Sequence, residues 1–336
     1  MEGINVKRII ISRTDSIGDV MLTLPMCVWL KQTLAPVELI FLGKGYTEPV
    51  VNCFSVIDEF VNWETIEGLP TSQRTEALKE LRADAIIHVF PNKDIASLAK
   101  KARIPMRIGT SHRSFHLLTC SHRLNFSRKS SILHESQLNF ELLKPFGLEK
   151  LPSMEDVTAM TKEFKVINCA LPNDLEQQLK ANSKTVILHP KSQGSALEWP
   201  ITSYIRLANE LVSKGYTVFF TGTTAEGDLF RLELPKNPAI IDTTGKMSLA
   251  QMIYFISEVK NLVACSTGPL HIAGFTGIRT IGLFSPRRPI HPGRWQPLGE
   301  KVSVLVNNPD CPVCKKKKPC LCIQEISVER VLNEIE

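Results

Sequence analysis

The first residue whose type and position suggest chemistry is Asp19. The apolar run Arg8–Ser12 predicts a strand, and a polar segment that ends in Gly18 and Asp19 follows it. Gly18 permits a tight turn, so Asp19 is expected at a helix N-terminus, where the helix dipole stabilises a carboxylate. Such a carboxylate can act as a general base, and the alternative is an ordinary N-cap. The single glycine argues against a dinucleotide-dependent dehydrogenase, which would carry Gly-x-Gly-x-x-Gly.

The loop His189–Pro200 has the composition of a phosphate-binding loop. It follows an apolar run and combines Lys191 and Ser192 with one glycine and a second serine. These groups can surround a phosphate ahead of a helix. The loop lacks the Gly-x4-Gly-Lys-Ser/Thr spacing of a Walker A motif. The alternative is an ordinary connection between a strand and a helix.

A second loop of this kind runs from Ser266 to Gly274. Thr267 and Gly268 are expected to begin a helix, whose first N–H groups have no acceptor within the helix. His271 lies about one turn further along, on the same side. A hydroxyl, a backbone N–H and an imidazole can therefore converge on one anion. The alternative is a core histidine on an apolar helix.

Positive charge is concentrated in one stretch of the first half. Between Lys100 and His134 there are eight Lys or Arg side chains and no Asp or Glu. The stretch is either a solvated basic face or a surface that meets an anionic partner. Only Phe115 and Phe126 interleave the charges, so we predict no nucleic-acid partner. Anionic lipid and a phosphorylated glycan both fit.

Four cysteines are crowded into a short segment near the end of the chain. Their spacing is Cys-x2-Cys-x5-Cys-x-Cys, and Lys315–Lys318 lie between them as a second basic patch. Four thiolates can hold zinc tetrahedrally, although the second pair departs from the usual Cys-x2-Cys spacing. The alternative is free or packed thiols in a reducing cytoplasm. The four residues are Cys311, Cys314, Cys320 and Cys322.

Strand-like runs alternate with helix-length amphipathic segments through both halves of the chain. The predicted strands are Arg8–Ser12, Val37–Leu42, Val56–Phe60, Ala85–Val89, Met106–Ile108, Thr185–Leu188, Thr217–Thr221, Ala239–Ile241, Leu262–Cys265 and Thr280–Leu283. The predicted helices span about 19–34, 71–82, 93–101, 133–146, 201–214, 248–259 and 268–275. This alternation predicts two α/β, Rossmann-like domains with parallel sheets, joined by a linker at Val166–Ser183. A short helix is expected at Ser327–Glu336.

The composition is that of an ordinary globular enzyme. The chain has 336 residues, 43% of them hydrophobic and 22% charged, with a net charge of +6. These values exclude a disordered, collagen-like or coiled-coil chain. The longest apolar stretch, Val20–Leu30, is about half a membrane span, and no signal-peptide core follows Met1. Nine cysteines, odd in number and scattered, argue against a secreted disulfide scaffold, so we predict a cytoplasmic protein.

Six motifs, in order along nearly the whole chain, resemble those of glycosyltransferase family 9, the ADP-heptose:lipopolysaccharide heptosyltransferases. They are Arg13–Val20, His189–Pro200, Thr221–Glu226, Lys246–Leu249, Ser266–His271, and Gly282–Pro286 together with His291–Trp295. Each motif alone is weak evidence. Their common order, each after a predicted strand or loop, makes the resemblance specific.

The resemblance implies a GT-B fold, with two Rossmann-like domains that face a central cleft. It implies an acceptor-binding domain over 1–170, a nucleotide-sugar-binding domain over 171–322, and a C-terminal helix over 323–336 that packs back on the first domain. The implied donor is a nucleotide sugar, ADP-heptose. We expect the acceptor to be a phosphorylated, lipid-linked glycan, which the protein would reach by peripheral contact with the cytoplasmic face of the inner membrane.

The resemblance also implies an inverting transfer that needs no metal ion and no cofactor. Asp19 takes the place of the family's general base. One carboxylate must accept the proton of the acceptor hydroxyl, and fixed donors must stabilise the departing diphosphate. From the basic stretch, Arg113 and Arg123 are expected to bind the acceptor. The predicted donor-binding residues are Lys191, Ser192, Glu226 (ribose), Met247 (adenine), Thr267, Gly268, Pro269 and His271.

Two positions depart from the heptosyltransferase pattern. Leu197 stands where many relatives carry Lys or Arg, and Ser266 stands where the heptosyltransferases carry an aspartate that contacts the sugar. A different nucleotide sugar is therefore an alternative donor. A second hypothesis is a GT-B protein that binds a nucleotide or glycan without catalysis. A third, a nucleotide-sugar epimerase, would need further acid–base residues that the sequence does not show.

Overall fold

The chain folds into two compact units. The computed structural model describes residues 6–128, 131–316, 318 and 320–336, and its contacts separate Met1–Lys165 from Val166–Glu336. The division falls close to the predicted domain boundary at residue 170. The predicted linker Val166–Ser183 lies in the second unit, and the prediction of a linker is wrong for Asn173–Ala181, which form a helix. Pro172 precedes this helix and Asn173 begins it, so local turn-forming residues here mark a helix start.

A wholly parallel sheet forms the centre of the first unit. Its strands in the described part of the chain are β1 (Arg8–Ser12), β2 (Glu38–Gly43), β3 (Glu59–Asn62), β4 (Ala85–His88), β5 (Met106–Thr110) and β6 (His122–Leu124). Their order is β3-β2-β1-β4-β5-β6. This is the Rossmann order, which reverses direction between β1 and β4 and places ligands at that point. The sequence missed β6 because its His122 and Arg123 are polar and exposed at the sheet edge.

Helices connect the strands of the first unit. They are α1 (Ile17–Met21), α2 (Leu24–Leu34), α3 (Glu48–Asn52), α4 (Trp63–Gly68), α5 (Thr71–Glu80), α6 (Lys93–Lys101), α7 (Ser114–Thr119), α8 (Glu135–Phe140) and α9 (Met154–Ala159), with 3-10 turns at Gly45–Thr47, Glu141–Phe146 and Met160–Glu163. Two helices predicted as continuous are divided. Pro25 lies in the first turn of α2, which is a separate helix, and Pro145 lies in the 3-10 turn after α8. Proline lacks the N–H that a continuous helix needs.

The second unit repeats the same architecture. Its described strands are β7 (Thr185–His189), β8 (Thr217–Phe220), β9 (Ile240–Asp242), β10 (Asn261–Cys265), β11 (Arg279–Leu283) and β12 (Val302–Leu305). They are parallel, in the order β12-β11-β10-β7-β8-β9, so the order reverses between β7 and β10. The two Rossmann-like units confirm the predicted α/β fold class. β12 escaped prediction because its short run is only partly buried at the sheet edge.

Helices also connect the strands of the second unit. They are α10 (Asn173–Ala181), α11 (Ile201–Ser213), α12 (Thr224–Asp228), α13 (Leu249–Glu258), α14 (Gly268–Thr276), α15 (Pro292–Trp295), α16 (Pro312–Lys315) and α17 (Val328–Leu332), with a 3-10 turn at Arg231–Glu233. The predicted phosphate-binding loops precede α11 and α14. None of the helices in the described ranges has the length and apolar character of a membrane span.

The closing helix α17 makes its observed contacts within the second unit. Val331 is fully buried in one apolar cluster with Leu207 and Leu211 of α11. Past the helix, the Asn261 side chain donates to the Glu336 carbonyl at 3.0 Å. The short helix expected at the end of the chain is confirmed. Packing of 323–336 on the first domain stays a prediction.

Candidate functional site

Asp19 lies where the first sheet reverses its order. It sits in the first turn of α1, directly after β1, which confirms the predicted position at a helix start. The Arg13 guanidinium donates to Asp19 Oδ1, and the Ser16 hydroxyl donates to Oδ2. The Asp19 side chain remains 19% exposed. A small molecule can therefore reach this carboxylate, which is oriented by two fixed donors.

Arg13 is a buried residue that forms ion pairs with the acidic residues of this loop. Its side chain is only 3% exposed, and its Nε donates to Asp15 Oδ1 at 2.7 Å. A third carboxylate, Glu135, lies 3.7 Å from its Nη1. Burial by itself would lower the pKa of Arg13, but these carboxylates outweigh it and raise the pKa above its usual range. Arg13 is thus a permanent buried cation, a role that its place before Asp15 and Asp19 could have signalled.

Asp15 is a second titratable carboxylate beside Asp19. Burial, together with the nearby charge of Asp19, raises the pKa of Asp15 to about 6 against the opposing effect of Arg13. Tyr46 donates its hydroxyl to the Asp15 carbonyl at 3.0 Å, which fixes the loop. A group that titrates near neutral pH close to Asp19 can alter the charge of the site over the physiological range.

The second loop of the C-terminal unit forms the N-terminus of α14. Thr267 is the N-cap, and Pro269 occupies the first turn. The Thr267 hydroxyl is buried and has no hydrogen-bond partner among the described residues. Because proline has no N–H, Gly268 and Leu270 supply the amide donors of this turn. His271 is buried on the same turn, only 2% exposed, so the predicted grouping of Thr267, Gly268 and His271 is present.

The loop His189–Pro200 lies against this helix start. It follows β7, and Ser266 follows β10, the neighbouring strand across the point of order reversal. The Trp199 amide donates to Cys265 Sγ at 3.3 Å. The Ser195 hydroxyl lies within 3.4 Å of the Ser266 carbonyl. The tertiary structure therefore brings the two predicted phosphate loops together.

Glu198 is the functional-site residue that sequence reasoning passed over. Its Oε2 accepts from Lys191 Nζ at 2.6 Å, and its Oε1 accepts from the Ser192 amide at 2.8 Å. Burial would raise the pKa of Glu198, but Lys191 and Ser192 outweigh it and hold the pKa below its usual value. The donors predicted to bind phosphate are thus occupied by a carboxylate of the same loop. The signal was an acid in the same loop as Lys191 and Ser192, close enough along the chain to pair with them.

Glu226 lies in the first turn of α12, and the loop before this helix touches the loop that contains Met247. The Gly245 amide donates to the Gly222 carbonyl at 2.9 Å, which joins the loop after β8 to the loop after β9. Glu226 Oε2 accepts from the Thr223 amide at 2.7 Å and closes a capping box at the start of α12. One oxygen of Glu226 therefore has a structural task. Contacts of Glu226 with ribose and of Met247 with adenine stay predictions.

The basic stretch divides into structural and exposed charges. Arg107 is partly buried and donates to the Thr119 carbonyl at 2.6 Å, and Arg128 pairs with Glu135. Arg113 and Arg123 are exposed, although Arg123 also lies 3.3 Å from the Leu117 carbonyl of α7. Lys129 lies outside the described residues, as does Lys317 of the later lysine run. The fold therefore uses at least two of the eight cations itself, and acceptor binding by the stretch stays a prediction.

Two Rossmann-like units, with polar loops at the carboxyl ends of their central strands, are the architecture of GT-B enzymes. The family model "Glycosyltransferase family 9 (heptosyltransferase)" matches residues 73–323. The chain belongs to glycosyltransferase family 9. It is similar to the lipopolysaccharide core heptosyltransferase OpsX of Haemophilus influenzae, with 22% identity over 98% of this chain and 96% of that protein.

Solved structures share the fold over nearly the whole chain. A family 9 glycosyltransferase from Veillonella parvula has a TM-score of 0.77 at 19% identity, covering 98% of this chain and 96% of its own. The heptosyltransferase WaaC of E. coli, solved with ADP, has a TM-score of 0.70 at 17% identity, covering 97% of this chain and 98% of its own. At these identities the likeness establishes the GT-B-like fold alone.

Proposed function

We propose that this chain transfers a heptose, or a related sugar, from an ADP-sugar to an acceptor of the lipopolysaccharide-core type, with inversion at the anomeric carbon. The observation that carries the proposal is the paired loops at β7 and β10. There the buried Thr267 hydroxyl, without a partner in the described chain, adjoins the amide donors at the start of a nine-residue helix. Such a helix start is suited to a diphosphate. The relatives named as heptosyltransferases support the choice of sugar.

In the proposed reaction Asp19 is the general base. Its carboxylate accepts the proton of an acceptor hydroxyl while that oxygen attacks the anomeric carbon. The bond from that carbon to the diphosphate breaks, and the nucleoside diphosphate leaves with the bonding electrons. Gly268, Thr267 and His271 then offset the charge that develops on the leaving oxygen. Arg13 keeps the Asp19 carboxylate oriented through the step.

The proposal places the acceptor on the first unit. Arg113 and Arg123 are exposed cations of that unit and can attract a phosphorylated glycan over roughly 8–10 Å at physiological ionic strength. A lipid-linked acceptor would bring the protein to the cytoplasmic membrane face by surface attraction. This peripheral contact is part of the proposal.

The direct test is turnover with defined donors. We expect release of ADP from ADP-heptose only when a truncated lipopolysaccharide-core acceptor is present, and weaker or no release with UDP- or GDP-sugars. A thermal shift with ADP, UDP, GDP and CMP should favour ADP, because a ligand that binds the native state raises its apparent stability. The Thr267→Val variant keeps the side-chain shape but lacks the hydroxyl, and it should lose much of the ADP shift.

One observation favours a second candidate, a non-catalytic nucleotide- or glycan-binding protein. Glu198 occupies Lys191 and Ser192, and Leu197 supplies no cation. A binding protein would show the ADP shift without any turnover on any donor and acceptor pair. Product formation that depends on Asp19 would exclude it.

Catalysis without a metal ion also belongs to the proposal. The chain has no Asp-x-Asp motif of the kind that carries a metal-bound nucleotide sugar. Turnover should therefore survive in buffer freed of Mg²⁺ and Mn²⁺ by a chelating resin. Activity that vanishes in this buffer and returns with Mg²⁺ or Mn²⁺, but not with Zn²⁺, would contradict it.

A further inference from the structure

Four sulfur atoms of the second unit lie in one small cluster. The Sγ atoms all lie within 4.8 Å of one another, and they belong to Cys311, Cys314, Cys320 and Cys322. The Sγ atoms of Cys311 and Cys320 are 3.4 Å apart. That separation is far beyond the roughly 2.0 Å of a disulfide bond. It is close to the distance of about 3.8 Å between two sulfurs that each lie about 2.3 Å from one tetrahedral ion.

The cluster is buried, although its members are polar. Cys311, Cys314 and Cys322 are each no more than 5% exposed, and Cys320 is partly buried against them. Four thiols that face one another in this way contribute little apolar packing, while the soft sulfur atoms are preferred ligands of zinc and iron. The arrangement is therefore better explained by an ion at its centre than by hydrophobic packing alone.

The backbone around Cys311 supports a ligand role for its sulfur. Pro312 begins the short helix α16, which turns the chain between Cys311 and Cys314. The Lys315 amide donates to the Cys311 carbonyl at 3.1 Å, so the backbone between the two cysteines is fixed while their sulfur atoms lie close together.

The positive charge of the surrounding loop is complementary to the negative charge that a metal ion with four thiolates would have. A divalent ion with four thiolates carries a net charge of −2. Lys315, Lys316 and Lys318 are exposed on the segment between the second and third cysteines, and Lys315 also pairs with Asp310 at 2.9 Å. Neighbouring cations offset the negative charge of such a centre.

We propose that these four cysteines bind one metal ion, Zn²⁺ or iron, in a tetrathiolate site that stabilises the second unit. The Cys314 sulfur contacts the Ser285 hydroxyl at 3.5 Å, just beyond the end of β11. The last residue of β11, Leu283, pairs with Cys265, which precedes the Ser266 loop. The ion would thus fasten the chain after β12 to the same sheet edge that carries the phosphate loops. This inference stands whether or not the chain is a heptosyltransferase.

The first experiment is metal analysis of full-length protein purified under reducing conditions without added metal. We expect about one ion of zinc or iron per chain, and a visible thiolate-to-iron absorption band identifies iron. Cys314→Ser should reduce the metal content at least tenfold. Cys169→Ser is the matched control, because Cys169 is a partly buried free cysteine of the same unit outside the cluster.

A second measurement avoids dependence on folding of the variant. A mercurial reagent, which modifies thiols, is added to the wild-type protein. The ion should be released as about four thiols are modified, and a chromogenic chelator measures the released ion. In a separate sample, the wild-type protein is incubated with Zn²⁺ or Fe²⁺ in the presence of a reductant and then desalted. Retention of less than about a tenth of an ion per chain overturns the site, as does full metal content in the Cys314→Ser variant.

Discussion

Arg13 explains how two aspartates can stand side by side in a partly buried loop. Its guanidinium lies under Asp15 and Asp19 and is itself almost fully buried. Two carboxylates this close would repel each other, and one would take up a proton. The buried cation reduces this repulsion for both, while burial still leaves the pKa of Asp15 raised to about 6. One buried cation is therefore shared by both carboxylates.

Replacement of Asp19 tests the assignment of the base. Asp19→Asn retains the shape of the side chain but cannot accept the acceptor proton, so kcat should fall by about 10²–10⁴-fold. The affinity for ADP should not change, because the nucleotide is assigned to the other unit. Asp15→Asn is the matched control, since it also bonds to Arg13, and its loss of turnover should be much smaller. Near-normal turnover of the Asp19 variant would remove Asp19 from the mechanism.

Replacement of Glu198 should improve a property of the protein, namely its affinity for ADP. It holds Lys191 and Ser192 by ionic and hydrogen bonds, and its charge opposes an incoming diphosphate. Glu198→Gln should therefore tighten ADP binding, by about tenfold at most for one charge at this range. Leu197→Lys should act in the same direction, because it adds a cation to this loop. Calorimetric titration with ADP measures both.

The control for this prediction is Glu210→Gln on α11, an exposed acid that should leave ADP affinity unaltered. Weaker ADP binding by a stably folded Glu198→Gln variant would show that Glu198 positions the loop rather than competes with phosphate. In that case Lys191 and Ser192 would no longer be assigned to the donor.

At the scale of the element, α7 and β6 determine which cations of the basic stretch are exposed and which make contacts within the fold. α7 ends at Thr119, where its free carbonyls accept from Arg107 and Arg123. Cations near a helix C-terminus are stabilised by the helix dipole. Part of the positive charge is therefore used in folding. Arg113, at the N-cap of α7, is exposed and carries no such duty in the described contacts.

Charge reversal on these two elements tests acceptor binding. Arg113→Glu with Arg123→Glu should raise the KM for a phosphorylated acceptor and flatten its dependence on salt, because screened attraction is lost. The KM for the donor should remain unchanged. Circular dichroism must first show that α7 survives the loss of Arg123.

Lys79→Glu with Lys150→Glu is the matched control, because it reverses two exposed charges of the same unit outside the stretch. Its acceptor kinetics should resemble those of the wild-type protein. If the Arg113 and Arg123 variant changes only donor binding, the stretch is a solvated face and the roles of the two units must be exchanged.

For the whole molecule, buried neutral histidines in both units couple stability to pH. Burial lowers the pKa of His88 to about 3 and that of His189 to about 4. Below pH 6.5 the unfolded chain binds protons at these residues and the folded chain does not, so stability falls as the pH falls from 6.5 towards 4. Asp15 acts in the opposite direction, since its folded pKa of about 6 lies above the unfolded value.

Burial also lowers the pKa of His116, so the histidines outweigh Asp15 and the free energy of unfolding should fall as the pH falls from 6 to 4. Urea unfolding at several pH values measures this dependence. His88→Leu should make the dependence shallower, whereas His112→Gln should not, because His112 is exposed. An identical slope for wild-type and His88→Leu protein would contradict the assignment of a buried neutral His88.

The long parallel strands and their following helices could be predicted because both signals are local. Runs such as Ile9–Ile11 are apolar without interruption, as strands buried on both faces must be, and α11, α13 and α14 began within a residue of their predicted starts. The edge strands β6 and β12 could not be predicted. A short, partly exposed strand exists only because a neighbouring strand offers hydrogen bonds, which composition does not record.

By itself the sequence determined the α/β class, the family, the helix-start position of Asp19 and the presence of Thr267, Gly268 and His271 in one turn. These depend on residue order within a few positions. Only the tertiary structure decided that the loops after β7 and β10 adjoin, that Arg13 reaches Glu135, and that Glu198 occupies Lys191 and Ser192. Strand order brings distant segments together, and electrostatic pairing depends on distance in space rather than on separation along the chain.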